Sequence, residues 1–216
     1  MAFLNQPIAE LISRILVVLI AMDIHEFAHA YVANRFGDST AREAGRMSLD
    51  PRRNINWVGF FMFVVIGFGI LGSAPVNPSR MRGRWGYFWA VAAGPLSNLA
   101  LAAICAIPFW LGIAHYDFAR ERQLFPTLNL LLTDMVMFNL LLFLFNLIPL
   151  FPLDGWAIVG QLLPSGAREF WVRYRMYSYY AFFGLIALSF VGVNALTQII
   201  GPPYNFLINL FIFRGQ

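Results

Sequence analysis

Two histidines and one glutamate lie within a five-residue stretch near the start of the chain. Residues 25–29 read His-Glu-Phe-Ala-His inside an apolar segment that is predicted to be helical. Side chains four positions apart share one face of a helix, so His25 and His29 can bind the same metal ion. Their neutral nitrogens suit zinc, and Glu26 is placed to take a proton from a water molecule that attacks a carbonyl. The pattern predicts a hydrolytic zinc site.

A catalytic zinc ion needs a third protein ligand and one open position. Among the acidic residues near apolar segments, Asp154 is the best candidate, because it follows Pro149 and Pro152 and precedes Gly155. These residues are expected to break the helix and leave a loop that points a carboxylate sideways. Irregular backbone at membrane depth is tolerated only where it is buried or lines a wet cavity, as in an active site.

Other polar residues have either more than one possible role or an ordinary structural one. Asp134 lies within a predicted helix and is either a polar packing residue or a proton-access group. Asp23 is a candidate for supporting one of the ligands, and His115 is interpreted as a solvated loop residue. The single cysteine, Cys105, excludes an intrachain disulfide framework and a multi-cysteine metal site.

The composition around these residues is that of a membrane protein. Of 216 residues, 59% are hydrophobic and 12% are charged, whereas soluble domains carry about a quarter of charged residues. Residues 86–116 contain no charged side chain, and roughly 20 apolar residues suffice to span a bilayer. In such a setting, two histidines and a glutamate are costly unless they have a function.

The basic residues indicate orientation rather than a nucleic-acid partner. All fifteen are arginines, and eight of them fall between Arg35 and Arg84. Arginines gathered in connections between apolar segments mark the cytoplasmic side, and they form no continuous basic surface of the kind that binds nucleic acid. No nucleic-acid partner is therefore expected.

The apolar pattern predicts an all-α integral membrane protein with one domain over residues 1–216. Its core motifs lie within residues 8–156 and its C-terminal membrane segments within residues 177–213. Four crossing helices are expected, at residues 8–36, 86–113, 128–147 and 177–196. The tail at 204–213 is too short to cross and is expected to form an interfacial helix.

The path of the glycine-rich run at residues 57–71 determines on which side of the membrane Asp154 lies. The arginine-rich connection after the first helix is expected in the cytoplasm, so that helix runs from outside to inside. If residues 57–71 crossed the membrane, Asp154 would lie opposite the histidines. We therefore expect a re-entrant or small β element there, and an active site towards the cytoplasmic side.

Small residues indicate which helices meet. Residues 90, 94, 98, 102 and 106 form a stripe of alanine, glycine and asparagine, and the first helix has a stripe at residues 21, 25, 29 and 33. Small side chains let membrane helices approach closely. We expect the two stripes to pack together and bring Asn98 near the metal site, although plain helix packing would give the same pattern.

Five motifs in one order resemble the site-2 protease family, in its compact prokaryotic branch. They are H-E-F-A-H at residues 25–29, G-R-M-S-L-D-P at 45–51, P-V-N-P at 75–78, A-G-P-L-S-N at 93–98 and N-L-I-P-L-F-P-L-D-G at 146–155. The sequence departs from the branch at Asp50, where Asn is frequent, and at residues 72–74, which lack the usual lysine. Neither departure involves a candidate metal ligand.

The resemblance implies specific roles for the matched residues. His25, His29 and Asp154 would bind one zinc ion per chain, and Glu26 would act as the base. Asn98 and Asn146 would lie near the reacting peptide.

The resemblance also implies an activity. The protein would be a zinc-dependent endopeptidase in a prokaryotic plasma membrane that cleaves a transmembrane protein substrate within the lipid bilayer. Two alternatives remain, a metal-ion transporter or channel that uses the same ligands and a non-catalytic relative. A transporter has no need of Glu26 beside its ligands.

Overall fold

Helices dominate the computed structural model, which describes residues 6–66, 69–72 and 74–213. Within these ranges the helices are α1 (Ile8–Arg35), α2 (Thr40–Glu43), α3 (Pro51–Asn54), α4 (Trp57–Ile66), α5 (Gly86–Trp110), α6 (Leu128–Asn146), α7 (Asp154–Leu162), α8 (Ser165–Arg173), α9 (Arg175–Phe190) and α10 (Ala195–Ile208). Helices α1, α5 and α6 pack against one another, and α7 packs against α5. These contacts bring the N-terminal motif and the segment around Asp154 to one place.

The close packing of α1 against α5 confirms the expectation from the two stripes of small residues. Ala21 and Ala33 on α1 are completely buried, and so are Ala90 and Ala102 on α5. The side-chain amide of Asn98 donates to the carbonyl oxygen of Ala21, at 3.2 Å. Small side chains therefore let these two helices approach to hydrogen-bonding distance.

The segment around α4 turns back to its starting point. The N–H of Asn56 donates to the carbonyl oxygen of Leu71 at 2.7 Å, and Ile55 pairs with Gly72 in an antiparallel bridge. Helix α4 has ten residues and spans only about 15 Å. The two ends are thus neighbours, as a re-entrant element requires, although residues 67 and 68 lie outside the described ranges. The β alternative is not confirmed, because the described ranges contain this bridge but no strand.

Three of the described helices are long and apolar enough to cross a membrane, so the expected four are not confirmed. They are Gly86–Trp110, Leu128–Asn146 and Ala195–Phe213. Helix α1 is also long, with 28 residues, but it carries several charged side chains. Helix α9 has 16 residues and rises about 24 Å, less than the hydrocarbon thickness of about 30 Å.

The expected boundaries of the last two segments are wrong. The segment predicted at residues 177–196 ends at Phe190, and Gly192 follows with a φ of 89°, a left-handed conformation that stops a helix. The tail predicted at 204–213 is instead part of a longer helix, since α10 continues through Pro202 and Pro203 into a π-helical turn at Asn209–Phe213. Prolines are tolerated within membrane helices. The resulting 19-residue helix is long enough to cross a bilayer.

Large apolar side chains on the outer surface fit a lipid environment. Val58 and Phe61 on α4 are 73% and 67% exposed, and Ile104 on α5 is 62% exposed. A soluble protein rarely exposes so much continuous apolar surface. Together with the three apolar helices, this surface indicates a membrane protein that is mostly helical over the described residues.

Candidate metal centre

Three potential metal ligands from two distant parts of the chain converge between α1 and α7. The Nε2 atoms of His25 and His29 lie 3.0 Å apart. They lie 3.2 Å and 3.3 Å, respectively, from Oδ2 of Asp154. Both histidines are buried, with 3% and 7% of their surface exposed. The three atoms form a small triangle that could hold one metal ion.

The two histidines and Asp154 reach this place for different local reasons. His25 and His29 are one turn apart on the face of α1 that packs against α5. Asp154 is the first residue of α7, and it follows an irregular turn in which Leu153 donates its N–H to the carbonyl oxygen of Leu150, at 2.8 Å. The peptide bond between Phe151 and Pro152 within this turn is cis. The predicted break is present, because α6 ends at Asn146 and α7 begins at Asp154, and the Asp154 carboxylate faces α1.

A chain of hydrogen bonds across three helices orients the His25 ring and selects the tautomer of its neutral form. The amide nitrogen of Asn139 on α6 donates to the carbonyl oxygen of Met135, at 2.8 Å. Its amide oxygen accepts from Nδ2 of Asn98 at 2.9 Å. Oδ1 of Asn98 then faces Nδ1 of His25 at 2.7 Å. Because Asn98 presents an acceptor, the proton of neutral His25 belongs on Nδ1, and Nε2 carries a lone pair.

The ring of His29 is oriented in the same way. Its Nδ1 lies 2.8 Å from the carbonyl oxygen of Ala90 on α5, and a carbonyl can only accept a hydrogen bond. In the neutral ring of His29 the proton therefore belongs on Nδ1, and Nε2 carries a lone pair. Ligand histidines in metalloproteins are generally held by such a bond at the other ring nitrogen.

When both rings are neutral, three lone pairs meet in the triangle and no proton lies between them. Oδ2 of Asp154 is buried and has no hydrogen-bond donor among the described residues. Three such acceptors about 3 Å apart repel one another unless a cation lies between them. Ligands bound tetrahedrally to zinc at about 2.0–2.2 Å would lie roughly 3.3–3.6 Å apart. The observed distances of 3.0–3.3 Å lie within a few tenths of an ångström of this separation, so the three residues suit this ion.

Gly94 on α5 keeps the space beside the triangle open. A Cβ atom at this position would lie 2.3 Å from Nε2 of His29 and 2.6 Å from Nε2 of His25. Any other residue would therefore place a methyl group against the ligand atoms. The stripe of small residues predicted a close approach here but not its role at the ligands.

Glu26 lies beside the triangle and is held by the chain that follows α4. Its side chain is buried, with 4% of the residue exposed, and its Oε2 accepts the N–H of Ala74 at 2.5 Å. A Cβ atom on Gly72 would lie 2.5 Å from the other carboxylate oxygen. Sequence reasoning missed this contact, because a main-chain donor leaves no trace in residue type.

A cavity of about 520 Å³ opens from the ligands towards α7, α8 and α9. Its walls include His25, Glu26, Asp154 and also Asn146, whose Nδ2 donates to the carbonyl oxygen of Leu142 at 3.0 Å. Asn98 is completely buried behind His25. The structure thus brings Asn146 to the cavity and Asn98 to His25, while their predicted role at a reacting peptide stays a prediction.

The remaining acidic candidates have partners away from the triangle. Asp23 accepts from Nδ2 of Asn54 at 2.7 Å, a contact that joins α1 to the segment after it. Asp134 accepts from Oγ of Ser13 at 2.5 Å, in a second cavity of about 270 Å³. Ser13 precedes His25 by about three helical turns, or roughly 18 Å. Neither carboxylate belongs to the described ligand group.

Curated relatives of this chain carry names that agree with a metal site. The chain is 33% identical over 212 residues to "Putative zinc metalloprotease YwhC" of Bacillus subtilis (strain 168), covering 97% of this chain and 95% of the relative. It is 28% identical over 190 residues to "Putative zinc metalloprotease Rip2" of Mycobacterium tuberculosis (strain Erdman), covering 78% and 69%. The identity to Rip2 of strain H37Rv is 31% over 160 residues, or 69% of this chain and 57% of that relative.

No family model matches the chain, and no solved structure does. The match to YwhC nevertheless runs along almost the whole of both chains. At 33% identity over that length, this protein belongs to the zinc metalloprotease family of YwhC.

Proposed function

We propose that this protein is a zinc-dependent intramembrane endopeptidase of the site-2 protease family. Its reaction is the hydrolysis of a peptide bond within or next to a transmembrane segment of a membrane-protein substrate, as in regulated intramembrane proteolysis. The observation that carries the proposal is the convergence of His25, His29 and Asp154 beside the buried Glu26, inside a bundle of apolar helices.

In this proposal the three converging residues hold one zinc ion, and a fourth position stays open to the cavity. Three protein ligands with one open position are the usual set of a catalytic zinc site. When bound, the ion supplies Lewis-acid activation of the scissile carbonyl and of a water molecule. The hydrogen bonds at Asn98 and Ala90 aim the two Nε2 lone pairs at one point.

Glu26 carries the proton through the reaction. Its carboxylate accepts a proton as the oxygen of a water molecule forms a bond to the scissile carbonyl carbon. It then gives that proton to the nitrogen of the leaving amine as the C–N bond breaks. The N–H of Ala74 supports this role by fixing one carboxylate oxygen. The other oxygen lies along Gly72, where no side chain obstructs it.

The two asparagines have different roles in the proposal. Asn146 lines the cavity and can turn its amide towards the oxygen of the scissile carbonyl. Asn98 acts through His25 and is a positioning residue, since its amide oxygen faces His25 and its amide nitrogen is already bonded. This assignment refines the role near the reacting peptide that the family resemblance implies for Asn98.

The arginine distribution supports an orientation with the active site towards the cytoplasm. Eight arginines lie between Arg35 and Arg84, in the connections that follow α1 and α4. The returning path of residues 56–71 keeps the ends of that segment on one side. A prokaryotic plasma membrane is the location that this orientation and the family resemblance favour.

A metal transporter is the less favoured alternative. A conduction path needs successive sites from which an ion can enter and leave. Among the described residues there is one ligand group, and a buried glutamate fixed by a main-chain N–H lies beside it. That arrangement serves proton transfer better than ion release.

The test uses the purified protein in lipid vesicles with a transmembrane peptide substrate. Glu26→Gln is expected to keep one zinc per chain and to lose cleavage, whereas Asp154→Ala loses most of the zinc. Asp134→Asn is the control, because Asp134 is a buried carboxylate outside the ligand group. Normal cleavage by Glu26→Gln refutes the assigned base, and the absence of zinc from the unsubstituted protein refutes the site.

A further inference from the structure

We infer that Arg168 and Arg175 form an anion-binding subsite in the active-site cavity and favour substrates with an acidic side chain close to the scissile bond. This inference rests on the proposed proteolytic function. Both arginines line the same cavity as His25, Glu26 and Asp154. They lie on α8 and at the first residue of α9, on the cavity wall formed by the C-terminal helices.

Arg168 is anchored to the segment that carries Asp154. Trp171, one turn later on α8, stacks on Trp156 of α7 with ring centroids 4.1 Å apart. Its Nε1 also donates to the carbonyl oxygen of Trp156 at 3.0 Å. Trp156 follows Asp154 by two residues, so these contacts fix the position of α8 relative to the metal ligand.

Arg175 is anchored on the other side of Asp154. Its guanidinium lies over the ring of Phe151, 5.0 Å from the centroid. The N–H of Phe151 in turn donates to Oγ of Ser178 on α9, at 2.9 Å. Phe151 precedes Asp154 by three residues. Residues that flank Asp154 on either side therefore position the helix that carries Arg168 and contact the guanidinium of Arg175.

Neither guanidinium has an acidic partner within the part of the chain that the structure describes. The ion pairs of other arginines involve Glu10, Asp50 and Glu43. The carboxylates that line the cavity are those of Glu26 and Asp154, at the metal end. A guanidinium binds a carboxylate through two parallel hydrogen bonds. The cavity therefore offers two positive charges to a carboxylate that the enzyme itself does not supply.

A substrate side chain is the occupant that this placement favours. Arginines that only set orientation in the membrane can lie anywhere at the cytoplasmic surface. These two instead share a cavity with the proposed reacting groups, so their partner is a part of the molecule being cleaved. An extended substrate advances about 3.3 Å per residue, which places side chains a few residues from the scissile bond along the same wall.

The experiment moves one charge along the substrate. A transmembrane peptide is prepared with Glu, Gln or Lys at each of several positions on both sides of the cleaved bond. Cleavage is measured in vesicles of zwitterionic phosphatidylcholine. At one or two positions, the Glu peptide is expected to give a kcat/KM about fivefold higher than the Gln peptide, as for one partly exposed charge-assisted pair.

Charge reversal in the enzyme supplies the decisive comparison. The double variant Arg168→Glu, Arg175→Glu is expected to prefer the Lys peptide at those positions. Arg173→Glu is the matched control, since Arg173 lies on α8 outside the cavity wall, and it should keep the preference for Glu. Binding of the same peptides to the Glu26→Gln protein with the reversed arginines measures the preference even where cleavage is weak.

The outcomes separate this inference from the proposed function. Equal cleavage of the Glu, Gln and Lys peptides at every position overturns the subsite and leaves the protease intact. A dependence on anionic phosphatidylglycerol without dependence on the peptide charge also overturns it, because the arginines then bind lipid. Absence of cleavage of every peptide by the unsubstituted, zinc-loaded protein overturns the proposed function and the subsite together.

Discussion

The hydrogen-bond chain from α6 to His25 predicts that replacing Asn139 weakens zinc binding, although Asn139 contacts no ligand atom. Asn139→Leu removes the acceptor that lies 2.9 Å from Nδ2 of Asn98. Asn98 then keeps one acceptor for that nitrogen, the carbonyl oxygen of Ala21 at 3.2 Å. Its amide can rotate and present Nδ2 to His25. That orientation favours the tautomer with hydrogen on Nε2, the atom that should bind the metal.

The size of the effect follows from the bonds involved. One buried hydrogen bond contributes about 1 kcal/mol, and leaving one of its partners unpaired costs about 1–3 kcal/mol. Loss of the group that orients a ligand histidine typically lowers metal affinity by about 10–100-fold, which corresponds to roughly 1.4–2.8 kcal/mol. The two magnitudes agree, so Asn139→Leu is expected to lower zinc affinity by about 10–100-fold.

The assay is competition for zinc between the protein and a chelating dye in detergent solution. Thr133→Val is the matched control, because Thr133 is also buried on α6 and its Oγ1 accepts the N–H of Asp117 at 3.3 Å, with no link to His25. Unchanged affinity in Asn139→Leu, or an equal loss in Thr133→Val, refutes the reasoning.

Three further predictions concern the space that Gly94 leaves beside the candidate ligands, the loop after α1, and the segment of residues 56–71. Gly94→Ala would place a methyl group 2.3 Å from Nε2 of His29 and 2.6 Å from Nε2 of His25, so we expect loss of bound zinc, measured by elemental analysis. Burial raises the pKa of Asp38, but hydrogen bonds from Thr40 and the N–H of Asn77, with the charge of Arg80, hold that pKa below its ordinary value of 3.8. This carboxylate therefore stabilises the fold above pH 3.8, and the contribution is lost as the pH falls through its lowered pKa. The melting temperature of the Asp38→Asn protein should lack this part of the decrease at low pH. Cysteines at Ser48 and Ser79, placed in a Cys105→Ala protein, should be labelled from the same face of the membrane, and labelling from opposite faces contradicts the returning path of residues 56–71.

The candidate ligands could be picked out from the sequence because the features that mark them are local. The spacing of His25 and His29 places both on one helix face, and the prolines around Asp154 mark a break in the chain. The contact of α1 with α5 was also accessible, since small residues every four positions leave few other ways to pack. These features depend on the period of a helix and on residue size, both of which the sequence displays directly.

Other features depend on contacts between elements that carry no pattern of their own. Asn139 could face any neighbour of α6, and only the packing of three helices shows that it meets Asn98. The end of α9 depends on the left-handed conformation of Gly192, whereas the more conspicuous Pro202 and Pro203 lie inside α10. Glycine and proline determine which backbone conformations are allowed at a position, and the surrounding contacts determine which of them is adopted.

The hydrogen bond that Ala74 donates to Glu26 has a consequence for mutational tolerance. The donor is a main-chain N–H, which nineteen of the twenty amino acids possess. A deep mutational scan should therefore record position 74 as permissive for small and medium side chains and intolerant of proline, the one residue that lacks the donor. Sequence variation at this position would hide its importance, and a group that acts on the proposed base would escape both alanine scanning and any search for invariant residues.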